Sequence, residues 1–331
     1  ISSGRDADTI HKALEASVRE TGRTYFERNE ANPLEEDLII VDEASMLDIS
    51  LFYPLLCALK DGARLILVGD IDQLPPVGAG EPLKDLMSWG YVPIVRLKRI
   101  FRQEEGSGIV ENAALIRKGE MCVPDEAGEF RIVYAADDED AYRIVMDLCR
   151  ELNYGNEENK MLLQVLSPMY RGVCGVDHLD ESLQEMIHGE KVPDGMKFFP
   201  GDKVMQTRND YEKGIYNGDV GTVWTATPQK VFVRYFDKEV VYEGEERFDL
   251  RLAYAVTVHK SQGSEYETVI FILRPSQHNM LQRNLLYTGV TRARKNTILV
   301  TAPDALRRAL AIQHTGNRYS LFLPFLNHEA L

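Results

Sequence analysis

The sequence predicts an α/β protein with two parallel-sheet domains, the second carrying a small β-barrel insertion. Three observations lead there. Two apolar runs, Leu38-Ile39-Ile40-Val41 and Leu65-Ile66-Leu67-Val68, end abruptly in Asp42-Glu43 and Gly69-Asp70. Further runs of this kind alternate with helical patterns along most of the chain. From about Gly201 to Leu250 that alternation stops, and short strands follow one another without helices.

Taken in order, the first two runs fit parallel strands covered on both faces. Ligands in such sheets sit beyond the carboxyl ends of the strands, where these acids fall. Ile49–Lys60 reads as the crossover helix between them. Further strands are expected at Ile94–Leu97, Phe130–Tyr134, Leu162–Ser167, Thr268–Leu273 and Thr297–Thr301. Helical patterns lie at Ile109–Lys118, Ala141–Leu152, His178–His188, Leu281–Ala293 and Pro303–His314. That alternation argues for α/β layers, and 331 residues allow two such sheets. In the insertion, Lys203–Thr207, Gly221–Trp224, Val231–Tyr235 and Val240–Tyr242 read as strands, and Asn217-Gly218 is a hairpin-turn signal.

At 44% hydrophobic and 27% charged residues the composition is that of a soluble globular protein. No apolar run reaches the ~18 residues of a membrane span. The opening Ile1-Ser2-Ser3-Gly4-Arg5-Asp6 lacks the apolar core of a signal peptide. Cys57, Cys122, Cys149 and Cys174 are scattered, with no Cys-x-x-Cys pair, and read as buried free thiols in a reducing cytoplasm. A net charge of −14 argues against general nucleic-acid binding, so any such contact must use a local basic groove. The acidic excess gathers in Asp137–Asp140, Glu157-Glu158 and Glu243–Glu246, which are expected on solvated faces.

The chemistry-bearing segments begin with Val41-Asp42-Glu43-Ala44-Ser45. An acidic pair at a strand end suits a nucleoside triphosphatase: Asp42 to hold Mg²⁺ and Glu43 to orient or deprotonate water. The same residues also suit a helix N-terminus capped by Ser45. Gly69-Asp70-Ile71-Asp72-Gln73-Leu74-Pro75-Pro76 ends the neighbouring strand, where Gln73 can bond both a γ-phosphate and its water. In Arg96-Leu97-Lys98-Arg99-Ile100-Phe101-Arg102-Gln103, the guanidinium of Arg102 suits phosphate charge. Thr257-Val258-His259-Lys260-Ser261-Gln262-Gly263-Ser264-Glu265 offers hydroxyl, imidazole and amide groups to a phosphate backbone. Tyr287-Thr288-Gly289-Val290-Thr291-Arg292-Ala293-Arg294 places Arg292 on or just after a helix, as an arginine finger or as a basic helix end.

In order and spacing these segments resemble motifs II to VI of superfamily 1 helicases. Asp-Glu-Ala-Ser-Met, Gly-Asp-x-Asp-Gln-Leu-Pro-Pro-Val, Phe-Arg-Gln, Thr-Val-His-Lys-Ser-Gln-Gly-Ser-Glu and Tyr-Thr-Gly-Val-Thr-Arg-Ala are similar to the RecD branch, which contains the exodeoxyribonuclease V alpha subunit. The resemblance covers nearly the whole chain and implies the greater part of such a helicase. It implies two RecA-like domains with ATP between them and single-stranded DNA across the top. Residues 1–96 would be part of the first domain; 97–200 and 251–331 would form the second. Residues 201–250 would be a Src-homology-3-like barrel, and about 21–33 a short duplex-parting hairpin.

By motif, Asp42 would hold Mg²⁺, Glu43 would activate water, and Gln73, Arg102 and Arg292 would contact the γ-phosphate of ATP. Gly69, Asp70, Gln262, Gly263 and Glu265 would line the nucleotide site. Pro75, Thr257, His259 and Asn217 would line the DNA channel. The resemblance further implies 5′ to 3′ movement, DNA repair or recombination, DNA ends or junctions as substrates, and partner subunits of a helicase–nuclease complex. It implies no membrane.

One element departs from the family. Gly-x-x-x-x-Gly-Lys-Ser/Thr, the loop that cradles phosphates, is absent from the sequence. Truncation upstream of Ile1 accounts for it, so the chain alone is expected to hydrolyse ATP poorly and its first sheet to keep an exposed edge. Alternatives are a non-catalytic DNA-binding or scaffold subunit, the motor part of a conjugative relaxase, a Pif-like helicase, or a nuclease.

Overall fold

The structure is a computed structural model, and it describes residues 7–18, 24–97, 106–193, 195–210, 212–236, 238–313 and 322–327. The chain forms two compact units, Ile1–Lys98 with Thr315–Leu331, and Arg99–His314.

In the first unit, the Thr9 side chain accepts from Lys12 N and caps the short helix α1 (Ile10–Ala13). Strands β1 (Ala16–Val18) and β2 (Thr24–Phe26) pair antiparallel, with Ala16 opposite Phe26. The first strand of this hairpin lies upstream of the expected 21–33 and the second lies within it, while residues 21–23 fall outside the described residues. Beyond it, Asn29 and Asn32 exchange backbone hydrogen bonds of 3.1 and 3.0 Å, and Asn32 Nδ2 donates to Glu27 O. Asparagine side chains that satisfy nearby carbonyls favour a turn over a strand.

Strands β3 (Leu38–Val41) and β4 (Arg64–Leu67) pair parallel and flank helix α2 (Ile49–Cys57), which the Asp48 side chain caps. Helix α3 (Pro82–Trp89) follows. Val41, Ala44, Leu55, Ala58, Leu14 and Leu34 form the unit's buried core. The opposite face of the two strands is open: Leu38, Ile40, Ile66 and Val68 are exposed, Ile40 by 60%.

Two expectations change here. Ile94–Leu97 is not a strand; these residues have no regular structure, and Val95 is 86% exposed. Among the described residues none pairs with it, and an apolar run without a neighbour has no ladder to join. The chain end was expected with the second domain, yet Thr315–Leu331 groups with the first. In its described part, helix Phe322–Leu326, the Phe322 ring meets Phe52 edge-on at 5.7 Å.

The second unit opens with α4 (Gly108–Lys118), β5 (Phe130–Tyr134), α5 (Asp138–Glu151), α6 (Glu157–Lys160), β6 (Leu163–Ser167) and α7 (Val176–His188). The chain then leaves the α/β layers for β7 (Lys203–Gln206), β8 (Val220–Ala226), β9 (Lys230–Arg234), β10 (Glu239–Glu243) and β11 (Leu250–Leu252). It returns through β12 (Ala255–Thr257), β13 (Tyr266–Leu273), α8 (Arg283–Val290), β14 (Ala293–Thr301) and α9 (Pro303–Ala311). β12, β6, β13, β14 and β5 make one parallel sheet in that order. Its core, with Val165, Ile270, Ile272, Ile298 and Val300, is covered by Val145 and Cys149 of α5 and Leu179 and Leu183 of α7.

The inserted strands form an antiparallel sheet, ordered β10-β9-β8-β7-β11, around Val204, Val223, Val231, Val233, Tyr242 and Leu250. Alternation sets the inside: on β9, Val231 and Val233 point in while Lys230 and Arg234 point out. Asn217 and Gly218 occupy the centre of a turn closed by Asp219 N on Tyr216 O at 3.0 Å, with Gly218 at φ 104°.

The insertion is mounted on the α/β sheet by a buried polar junction. Lys203 Nζ donates to Gln164 Oε1 (2.9 Å), Leu163 O (3.2 Å) and the Tyr154 hydroxyl (3.5 Å). Asp202 accepts from the Tyr254 hydroxyl (2.9 Å), Gln184 Nε2 (2.5 Å) and Phe199 N (2.7 Å), and pairs with His188 Nε2 at 2.8 Å. Asp180 accepts from Ala255 N, and burial pushes its carboxyl well above the usual range.

Burial also depresses the Lys203 ammonium to about 7. A lysine whose folded pKa is lowered binds fewer protons folded than unfolded between about pH 7 and 10, so its contribution raises stability across that window. Lys203→Met should remove this rise. Denaturant unfolding of both proteins at pH 6 and pH 9 checks it: the wild type minus variant difference should grow with pH, and a constant difference would refute the assignment.

Candidate nucleotide and nucleic-acid sites

In the first unit, the parallel register sets Val41 beside Leu67, so both strand ends finish at one level. Val68 N donates to Val41 O and Ala44 N to Val68 O, each at 2.8 Å. Asp42 is exposed, and its Oδ1 accepts from Glu43 N at 2.9 Å. Glu43 sits in the left-handed region, at φ 52° and ψ 35°. A non-glycine residue held there costs of order 1–3 kcal/mol and marks a strained position. Ser45 is not the cap that its position suggested; its hydroxyl is buried without a hydrogen-bond partner.

Gly69 faces this turn. A Cβ on it would lie 2.8 Å from Ser45 N and 2.9 Å from Leu83 Cδ2, so only glycine lets the two loops meet. Asp70 then folds the chain into a tight turn: its carboxylate accepts from Asp72 N (3.0 Å) and its carbonyl from Gln73 N (3.2 Å). The turn carries Gln73 into a small open cleft lined by Ser45, Gln73, Pro75, Pro76, Glu81 and Lys84, among others. Gln73 Oε1 is buried there without a hydrogen-bond partner. Asp42, Glu43, Gly69, Asp70, Gln73 and Pro75 thus lie on two adjoining loops of one unit.

In the second unit, Thr257 ends β12 and the following loop is tightly tied. Thr257 Oγ1 accepts from Lys260 N (3.3 Å), Thr257 O from Ser261 N (3.1 Å) and His259 O from Gln262 N (3.3 Å). Gly263 turns the loop at φ 75°. Burial holds the imidazole of His259 below its ordinary range, so it is neutral at pH 7. Asn217, at the tip of the insertion, accepts a hydrogen bond from Lys260 Nζ. Thr257, His259, Lys260 and Asn217 are thereby neighbours.

Arg292 is 2% exposed, and its guanidinium donates to Thr288 O and Ser264 O, each at 3.2 Å. Tyr266 N donates to Arg292 O at 2.9 Å, so Arg292 braces the loop bearing Gln262, Gly263 and Glu265. Glu265 pairs with Arg294 at 2.7 Å. Arg102 lies outside the described residues. The thiols of Cys122, Cys149 and Cys174 are pushed up to about 12 by burial, while Cys57 is half-buried. No helix among the described residues is long and apolar enough to cross a membrane.

The chain is similar to known proteins along most of its length. Residues 2–131 match the AAA domain family, 177–235 the SH3 domain of ATP-dependent RecD-like DNA helicases, and 252–300 the UvrD-like helicase C-terminal domain. The chain is 36% identical over 323 residues to the ATP-dependent RecD2 DNA helicase of Deinococcus radiodurans, across 96% of its own length and 43% of that protein's. It is 32% identical over 339 residues to the RecBCD enzyme subunit RecD of Mycolicibacterium smegmatis, across 96% and 60%. This chain belongs to the RecD-like helicase family. It spans about half the length of these two curated relatives. The RecD-like fold also aligns with a Bacteroides Pif1 helicase solved with ADP-AlF3 and single-stranded DNA, at TM-score 0.57 and 20% identity, over 97% of this chain and 82% of that one.

Two features of the sites went unnoticed in sequence: the buried Ser45 hydroxyl beside Gln73, and the loop after β6. The second had a signal in Ser-Pro-Met-Tyr-Arg-Gly, a polar, glycine-bearing turn at a strand end. Because Gly69 is hemmed in by backbone, Gly69→Ala should destabilise the first unit by about 1–3 kcal/mol. Thermal unfolding reads this as a lowered midpoint; an unchanged midpoint would mean that the loops do not meet this closely.

Proposed function

We propose that the chain is part of an ATP-dependent DNA helicase that translocates on single-stranded DNA, 5′ to 3′, in cytoplasmic DNA repair or recombination. The observation that carries this reading is the cleft at the ends of β3 and β4, where Ser45 and Gln73 present buried oxygens without partners next to the Asp42-Glu43 turn. Buried polar atoms are rarely left unsatisfied, and phosphate oxygens with their water supply the missing partners.

Asp42 fits Mg²⁺, being an exposed carboxylate beside this cleft; the ion, when bound, would neutralise phosphate charge. Glu43, fixed in its strained turn, is suited to orient the attacking water and take its proton. Gln73 is placed to accept from the attacking water through its unpartnered Oε1 and to donate to the terminal phosphate through its Nε2. Gly69 and Asp70 hold this loop pair together; Gln262, Gly263 and Glu265 are assigned to nucleotide on their motif alone. Arg102 is assigned to phosphate charge on its motif alone. Arg292 steadies Ser264; contact with a γ-phosphate would require it to release the Ser264 and Thr288 carbonyls.

Thr257, His259 and Asn217 are assigned to the DNA backbone, and Pro75 is assigned to it on its motif alone. With His259 neutral, Lys260 supplies the charge of that loop. DNA ends or junctions are the proposed substrates, and subunits of a helicase–nuclease complex the proposed partners, since a relative of this chain bears the name of a RecBCD subunit.

Two measurements test the reading. Fluorescence anisotropy should show single-stranded oligonucleotide binding that weakens with salt, by about −0.7 in log–log slope for each phosphate neutralised. No binding at low salt would refute the DNA assignment. Because the Gly-x-x-x-x-Gly-Lys-Ser/Thr loop is absent from these 331 residues, the chain alone should turn over ATP near background. Robust turnover would show that this loop is dispensable here.

A further inference from the structure

The loop that follows β6 carries the strongest feature that the proposed sites leave unused. Ser167, the last residue of β6, lies opposite Thr257 in the parallel register, so this loop leaves the sheet beside the Thr257–Lys260 loop. It is unusually braced. Ser167 Oγ donates to Cys174 O at 2.6 Å, Val176 N to Met169 O at 2.9 Å, and Asp177 N to Tyr170 O at 3.0 Å. Gly172 takes φ 98°, and a Cβ on Gly175 would sit 2.5 Å from Tyr170 O, so the turn is closed on itself.

What this rigid turn presents is an aromatic ring and a cation. Tyr170 is 38% exposed, and Arg171 beside it is exposed. The guanidinium of Arg251 lies over the Tyr170 ring, 5.0 Å from its centre, and is held there by Asp177 at 2.9 Å. Arg251 is also near enough to Lys260 to disfavour the lysine's charge, after burial the second cause of its lowered pKa. Arg251 and Lys260 therefore form a local basic pair in a chain of net charge −14. An exposed aromatic ring on a rigid support, flanked by cations, is the arrangement by which proteins stack bases of single strands without reading their sequence.

We propose that Tyr170, oriented by Arg251, stacks a nucleobase of the single strand whose backbone passes Thr257 and His259. Tyr170 meets the base with its solvent-facing surface, and Arg251 meets the adjoining phosphate. The proposal rests on the single-stranded-DNA reading given above and adds to it a residue that contacts a base instead of the backbone.

The test compares binding of an oligothymidylate with that of an abasic oligodeoxynucleotide of equal length, which keeps the phosphates and lacks the bases. Tyr170→Ala should weaken oligothymidylate binding about tenfold or more and leave the abasic strand within about twofold. Tyr170→Phe and Tyr170→Trp should keep the wild-type preference for bases. Arg251→Gln should make the salt slope shallower by about 0.7 on both strands. If wild type binds and Tyr170→Ala changes neither strand, or weakens both equally, the stacking role is overturned while DNA binding stands. If wild type binds neither strand, the DNA reading itself fails and this proposal with it.

Discussion

A lysine ammonium buried among tyrosine rings is tolerated only while each of its hydrogens has an acceptor. Lys203 finds three, and all belong to the α/β layers: a carbonyl and a side-chain amide of β6, and the Tyr154 hydroxyl. Since Lys203 is the first residue of β7, meeting that requirement pins the start of the insertion to the sheet. Its neighbour Asp202 does the same for the returning chain by accepting from Tyr254, which leads directly into β12. Entry and exit are also joined to each other, Ala253 N donating to Lys203 O at 2.9 Å. The insertion is thus fixed at its root, and its tip reaches the loop after β12 through Asn217 and Lys260. Both attachments fall on the chain that flanks β12, at Tyr254 and Lys260, and the stretch between them carries Thr257 and His259, two of the residues assigned to DNA.

The first unit solves a different problem. Two strand ends must bring acids and an amide close together without burying unpaired charge. The means are local: a glycine where backbone meets backbone, a carboxylate that accepts its own turn's amides, and one left-handed glutamate. Among the described residues of this unit, local rules are broken at Glu43 and at the two buried oxygens nearby, and also at Glu15, whose φ is 51°. Departures of this kind concentrate where a site must be held ready for a ligand.

Much of this was legible in the sequence. The runs before Asp42 and Gly69 proved to be adjacent parallel strands because continuous β-branched patterns ending in polar residues have few other readings. The antiparallel insertion was visible as lost helical periodicity, and Gly218 as a residue needing positive φ. The failures are equally physical. Ile94–Leu97 has strand-like composition, but composition cannot say whether a partner strand exists. The early hairpin has strands of three residues, too short for any period to show, so the first of them gave no signal in the sequence. The environment of Arg292 was hidden because a buried arginine and an arginine finger look alike until the carbonyls of Ser264 and Thr288 are seen around it. Glu265 likewise gave no hint of Arg294, nearly thirty positions away.

The open face of β3 and β4 has its own consequence. Leu38, Ile40, Ile66 and Val68 form apolar ground that water covers at a cost in free energy. Any surface that settles on this face, whether more chain or another protein, stabilises the first unit by mass action, whereas the second unit, whose sheet is parallel and deeply buried, gains nothing from it. The two halves of one polypeptide therefore answer to different variables. The robustness of the second is intrinsic to its sequence; that of the first depends on the company it keeps.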